Sequence, residues 1–335
     1  MKNVFLSALS VLAFLACQKD DSGSLSIQFE KPGHFPDPTY PLERNPVTKA
    51  GFDLGKKLFN DPILSRDQSV ACSNCHVKGV AFTDPQHRFS VGVEERQGIR
   101  NAPSIANMAF MQEFMWDGGV FHLDFAPPNA IENELEMDEK LSHVLYKLNT
   151  HAQYPDMFKT AFPEMDSITT PYLLLALSQY QLMLVSASSM YDQYLTGKKQ
   201  LDAGALEGLA LFEQKCASCH SGVLFTNQEY INNGLDTVFS DLGRGRITES
   251  AADIGKFKVP SLRNVALTPP YMHDGRFPDL QSVLQHYKNG VKDSPTLDPG
   301  LKKSKGIPMT EMEKERIIEF LQTLTDYDFI RDERL

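Results

Sequence analysis

The sequence predicts a mainly α-helical protein of two similar domains, with long ordered loops between its helices. Three observations carry this. Apolar residues recur at helical rather than alternating spacing. One short Cys/His pattern occurs twice, about 144 residues apart. Each copy follows a helix-like segment that ends in Leu-Phe, Ala50 to Phe59 before the first and Ala205 to Phe212 before the second.

The chain of 335 residues is 41% hydrophobic and 23% charged, enough to bury two modest cores. It opens with an apolar run, Val4 to Phe14, then Leu15-Ala16-Cys17 and the polar Gln18 to Asp21. That is the order of an export signal, and the run is too short to span a membrane. Cys17 after Ala16 resembles the lipobox of bacterial lipoproteins, although Phe14 fits it imperfectly. The reading is a signal peptide over 1–17 whose Cys17 becomes a lipidated first residue, with simple cleavage as the alternative. A tether over 18–44 then leads into domains at 45–195 and 196–335. The expected location is periplasmic, with the lipid as the sole hold on the membrane.

Acidic residues outnumber basic ones 43 to 33, for a net charge of −10, and no basic run follows a phosphate backbone. This argues against nucleic acid as a partner. An acidic surface can attract a basic electron carrier, but is read first as plain solubility. Whether two copies pair is left open.

The repeated pattern is Cys72-Ser73-Asn74-Cys75-His76 and Cys216-Ala217-Ser218-Cys219-His220, the CxxCH haem-attachment motif. On a helical turn, positions i, i+3 and i+4 share a face, so two thiols can bond the haem vinyl carbons while the histidine reaches the iron. Disulfide, zinc and thioredoxin-like readings leave the histidines unexplained. Two covalently bound haem c groups are therefore expected, one per domain, and each domain is cytochrome c-like.

The remaining elements follow in order. Pro171 to Tyr194 reads as one long apolar helix with Thr170 as N-cap, and Thr196 to Asp202 as the linker. In the second copy Leu206, Leu209 and Phe212 form an apolar stripe. Leu280, Val283, Leu284 and Tyr287 fall at i, i+3, i+4 and i+7, which points Tyr287 toward a buried group and His286 away from it. Glu311 to Thr325 closes the chain as a helix, with Thr310 as N-cap. Pro- and Gly-rich stretches such as Lys31 to Pro46 and Thr268 to Pro278 read as loops.

Around the motifs lie Ala81-Phe82-Thr83-Asp84, Ser90-Val91-Gly92-Val93, Arg100-Asn101-Ala102-Pro103-Ser104 and Trp116-Asp117-Gly118. The second half carries Leu262 to Thr268 and Pro270-Tyr271-Met272-His273-Asp274-Gly275. Over roughly residues 45 to 325 the chain resembles the bacterial diheme cytochrome c peroxidase and MauG family, in its MauG-like branch. The resemblance implies a peroxide-reacting haem on His76 and an electron-relay haem on His220.

It further implies that Val93 stands where many members place a histidine that blocks the first iron, so that this iron needs no prior reduction to open. His87 is a nearby substitute ligand, or an exposed loop histidine. Glu136 falls at the family's acid–base carboxylate, with Glu134 as a near competitor and Ala126 where a companion glutamine is usual. Trp116 falls between the haems. Tyr287 falls at the sixth ligand of the relay iron, with Met272 and His286 as rivals. Asn101 and the main-chain oxygens of Thr268 and Pro270 match a calcium site between the domains.

The activity this implies is reduction of hydrogen peroxide by electrons from a small redox protein, a cytochrome c or a cupredoxin. A MauG-like oxidation of a protein or small organic substrate is the alternative. A diheme electron carrier is the alternative outside the enzymes, disfavoured because a vacant iron beside a carboxylate is of little use to a relay.

Overall fold

Thr48 opens the first helix, Lys49–Asn60, by accepting the amide of Gly51 at 3.0 Å. Phe52, Leu54, Leu58 and Phe59 are buried along this helix, and its inner face lies against the helix Thr170–Leu182. The crossing is close because of Gly55, where a Cβ would come within 2.1 Å of the carbonyl oxygen of Ala176. The second half repeats the device. Asp202 caps Ala203–Lys215 by accepting the amide of Ala205 at 2.8 Å. A Cβ on Gly208 would sit 1.9 Å from the carbonyl oxygen of Arg316, on the helix Glu311–Gln322. Thr310 and Glu313 cap that last helix reciprocally.

The computed structural model describes residues 27–335. One core, with Leu54, Leu58, Phe82, Tyr154, Phe158 and Leu177, fills the first half. A second, with Phe212, Phe225, Ile317, Phe320 and Leu324, fills the other half. Fully burying each such side chain stabilises by about 1.5–3 kcal/mol. Among the described residues strand is confined to a short antiparallel pair, Tyr230–Ile231 against Phe257–Lys258, and to isolated bridges. No helix among them is long and apolar enough to cross a membrane.

Four features differ from the sequence reading. The stretch read as a tether packs onto the body from Ile27 onward: Phe35 and Tyr40 are buried with Phe110, Phe114 and Leu123 in a third apolar cluster. Pro171 to Tyr194 is two helices, Thr170–Leu182 and Met190–Leu195, and the first is preceded by Thr169 rather than Thr170 at the cap position. The helix breaks because its next polar groups find partners elsewhere. The carbonyl of Leu184 accepts from Asn107, and Ser186 and Ser188 both donate to Asp326. Leu206 is exposed, so the buried stripe of its helix is Ala205, Gly208 and Phe212. Finally, Tyr327–Arg331 returns to the first half, where Phe329 packs against Phe82 with ring centroids 5.6 Å apart. The signal peptide with Cys17, and the first part of 18–44, lie outside the described residues.

Candidate functional site

Both Cys/His motifs form the same helical turn, with the amide of His76 bonded to the carbonyl of Cys72 and that of His220 to Cys216, each at 3.0 Å. No disulfide joins any of the four cysteines. Burial raises all four, pushing Cys72 and Cys216 up to about 12 and Cys75 up to about 11, so they are neutral. No three His, Cys, Asp or Glu side chains converge among the described residues, which leaves a zinc reading without ligands.

Each histidine is held by its Nδ1. That of His76 meets the carbonyl of Phe82 at 3.0 Å, and that of His220 meets the carbonyls of Phe225 and Pro260 at 3.2 Å. The Nδ1–H donor role that these contacts require leaves Nε2 as the free lone pair, and burial holds both imidazoles below the usual histidine value and so neutral. This is the form that binds iron.

A cavity of about 580 Å³ opens beside Cys216, Cys219 and His220, within the ~300–1,000 Å³ of ligand pockets. Leu280, Val283, Leu284 and Tyr287 line its far side, as their spacing predicts. Met272 lines it too, and the Asn233 amide lies 3.4 Å from both the Met272 sulfur and the Tyr287 phenol oxygen. His286 is buried outside it, with Nε2 on the carbonyl of Asn233 at 3.0 Å and its ring near Phe277. Burial pushes the Tyr287 phenol up to about 12. A second cavity, about 620 Å³, is lined by Phe59, His76, Phe82 and Tyr180. The cavity beside His220 fits one haem; the second is also lined by Asp53, Lys56, Lys57 and Lys78, and Cys72, Cys75, Val93 and Glu136 do not line it.

The cavity beside His220 reaches the first half, where Trp116 and Asn101 line it. The Trp116 indole donates to the carbonyl of Asn101 at 2.9 Å. Asn101 Oδ1 takes no donor among the described residues, and the carbonyl oxygens of Thr268 and Pro270, on the same cavity wall, accept no backbone hydrogen bond. Three free oxygens of this kind suit calcium. Asp117, next to Trp116, is bonded to Arg100 at 2.7 Å and Arg246 at 2.6 Å. Burial alone would raise its carboxyl, but the two guanidiniums hold it below the usual range.

On the first haem's side, Val93 is fully buried and its amide donates to the carbonyl of Glu136 at 2.7 Å. Gly92 makes this approach feasible, since a Cβ there would strike the Glu136 carbonyl oxygen at 2.3 Å. Burial raises the Glu136 carboxyl above the usual range, against the pull of a hydrogen bond from Asn133 Nδ2 to Oε1 at 3.1 Å. Glu136 is close enough to Cys72 and Cys75 for its charge to raise both thiols further. Glu134 is exposed. His87 is half-exposed and bonded to Asp84 at 2.7 Å. Ala126 begins the short helix Ala126–Ile131. Asn133 is the residue that sequence reasoning missed, and its spacing of three from Glu136 is the signal that could have found it.

The sequence pattern of the di-haem cytochrome c peroxidase family matches residues 49–200. The methylamine utilization protein MauG of Methylorubrum extorquens is 33% identical over 91% of this chain and 86% of its own. The chain belongs to the di-haem cytochrome c peroxidase and MauG family. Cytochrome c551 peroxidase of Pseudomonas aeruginosa is 34% identical over 74% of this chain and 75% of its own. Among solved structures, a MauG-like protein associated with microbial copper homeostasis superposes with a TM-score of 0.82, at 31% identity over 91% of this chain and 97% of that one. Membership brings two haems, and the two mainly helical halves are the family's cytochrome c-like domains.

Proposed function

We propose that this protein reduces hydrogen peroxide to water with electrons from a small redox protein, a cytochrome c or a cupredoxin. Cys72, Cys75 and His76 would hold the first haem, and Cys216, Cys219, His220 and Tyr287 the second, each through two thioether bonds. When bound, the first haem supplies an iron at which peroxide is reduced and the second supplies a store for one electron.

The observation that carries this reading is the half-buried carboxyl of Glu136, whose backbone is bonded to Val93. Asn133 holds Oε1, which leaves Oε2 to take a proton from peroxide and return it to the departing oxygen. Valine cannot ligate, so this side of the first site needs no ligand to leave. Trp116, on the shared cavity wall with its indole fixed by Asn101, lies on the route between the halves. Calcium on Asn101, Thr268 and Pro270 would tie the domains together. Export to the periplasm, a lipid on Cys17 and pairing into a homodimer belong to the same proposal.

Low-temperature EPR and visible spectra of the ferric protein, before and after one equivalent of peroxide, test it. One high-spin and one low-spin haem that both respond to peroxide support the enzyme, whereas two low-spin haems that peroxide leaves unmoved point to a carrier. Tyr287 on the cavity beside His220 favours one further reading, MauG-like oxidation of a substrate at a distance, because an oxygen ligand lowers the potential relative to methionine.

A further inference from the structure

Tyr230 and Ile231 form a strand whose side chains alternate, so that Ile231 lines the cavity beside His220 and Tyr230 turns to the other face. Tyr230 pairs across the strand with Lys258, whose amide donates to the carbonyl of Trp116 at 2.8 Å. The Tyr230 phenol then lies across Gly118, two residues beyond Trp116. A Cβ on Gly118 would fall 1.7 Å from the phenol oxygen, and its φ of +67° suits glycine in any case. The phenol donates to Glu113 Oε2, and Arg244 bonds both oxygens of that carboxylate at 3.2 and 3.3 Å. The Arg244 guanidinium also lies over the Tyr230 ring, 4.1 Å from its centroid. The Lys258 ammonium sits on the carbonyl of Glu113 at 2.6 Å. The Glu113 side chain is 25% exposed, so the cluster reaches from the Trp116 backbone to the surface.

We propose that Tyr230 is a one-electron outlet of the protein, oxidised by way of Trp116 while its phenolic proton passes to Glu113. This rests on the peroxide-reacting reading above, with hydrogen peroxide as the oxidant. Tyr230 gives up one electron toward Trp116, the O–H bond breaks, and its proton forms a new O–H bond on Glu113 Oε2. The products are a neutral phenoxyl radical and a carboxylic acid. An external one-electron donor then returns the electron at the surface, and Glu113 returns the proton. Two such cycles supply the two electrons that convert one peroxide, with two protons, to two waters.

Arg244 makes the proton step obligatory. A cation over the ring opposes a positively charged phenol, so the electron leaves only if the proton leaves with it. Glu113 already accepts that hydrogen bond, and no other side chain among the described residues bonds the phenol oxygen. The donor that this outlet serves is a reductant too large to reach Trp116 in the cavity between the halves.

The test is freeze-quench EPR of the full diheme protein mixed with hydrogen peroxide, with natural and with ring-deuterated tyrosine. The expected result is an organic radical that narrows with deuterated tyrosine and is lost in both Tyr230→Phe and Glu113→Gln, while the ferric haem spectra of both variants match the parent. Should either variant fold poorly, fluorotyrosine placed at position 230 alone decides the matter, because fluorine splitting of the signal appears only if the radical sits on that ring. Haems that react with peroxide without a tyrosine-derived signal, or a signal that survives in Tyr230→Phe, overturn the outlet and leave the peroxidase reading standing. Loss in Tyr230→Phe alone overturns the role of Glu113. Haems that peroxide leaves unmoved overturn the peroxidase reading and the outlet with it.

Discussion

The amide of Val93 donates to the carbonyl of Glu136 at 2.7 Å, so the valine and the proposed acid–base residue are tied by one backbone bond. Side-chain replacements at either position keep that tie, and their effects on peroxide chemistry can therefore be read without moving the other.

Glu136→Gln should slow the reaction with peroxide by about 10²–10⁴-fold while both haems remain attached. In the parent, the rate should fall on acidification through a midpoint above the usual carboxylate range, because burial favours the protonated form, which cannot accept a proton. The variant should lose that limb in stopped-flow mixing across pH. A carboxyl raised by folding adds stability below its unfolded pKa and loses it as pH rises through the folded value, so at neutral pH the glutamine variant should be at least as stable as the parent.

Tyr287→Phe should change the visible and EPR spectra of one haem only, that on His220. Met272→Leu should leave them unaltered if the phenol oxygen is the ligand. The converse result would assign the ligand to Met272, which shares the Asn233 amide with Tyr287.

Arg263 and Asp192 have side chains 1% and 3% exposed, bonded at 2.7 and 2.9 Å, with His34 on the same carboxylate at 2.9 Å. Asp192→Ala should cost about 3–5 kcal/mol in denaturant unfolding, because it strands a buried guanidinium. Burial alone would raise Asp192, but Arg263 holds it below the usual range. Its contribution is therefore present above the unfolded pKa and lost as pH falls through the folded value, which makes this pair a point of acid lability.

Gly208→Ala should destabilise by about 1–3 kcal/mol through overpacking, since the new methyl meets backbone at Arg316 rather than a movable side chain. An exposed control such as Gly222→Ala meets nothing within 4 Å, and its positive φ alone sets its cost. Thermal melts of the two separate crowding from backbone strain.

What the sequence makes legible is what short spacing controls. Cys72 to His76 and Cys216 to His220 must be helical turns, and Leu280 to Tyr287 must present one face, because a few residues of helix admit no other arrangement. Thr310 and Asp202 sit beside the amides they cap. The missed features depend on partners far along the chain. The break after Leu182 is made by Asn107 and Asp326, and the Arg263–Asp192–His34 cluster joins residues that no periodicity relates. Asn133 is the exception, three residues from Glu136 and legible from that spacing once the carboxylate is singled out.

Phe329 packs against Phe82, so the first half closes over its motif with side chains synthesised long after Cys72 and Cys75. That order of manufacture has a consequence for assembly. Until the second half has been made, Phe82 lacks this aromatic partner, and the core beside the first motif is incomplete.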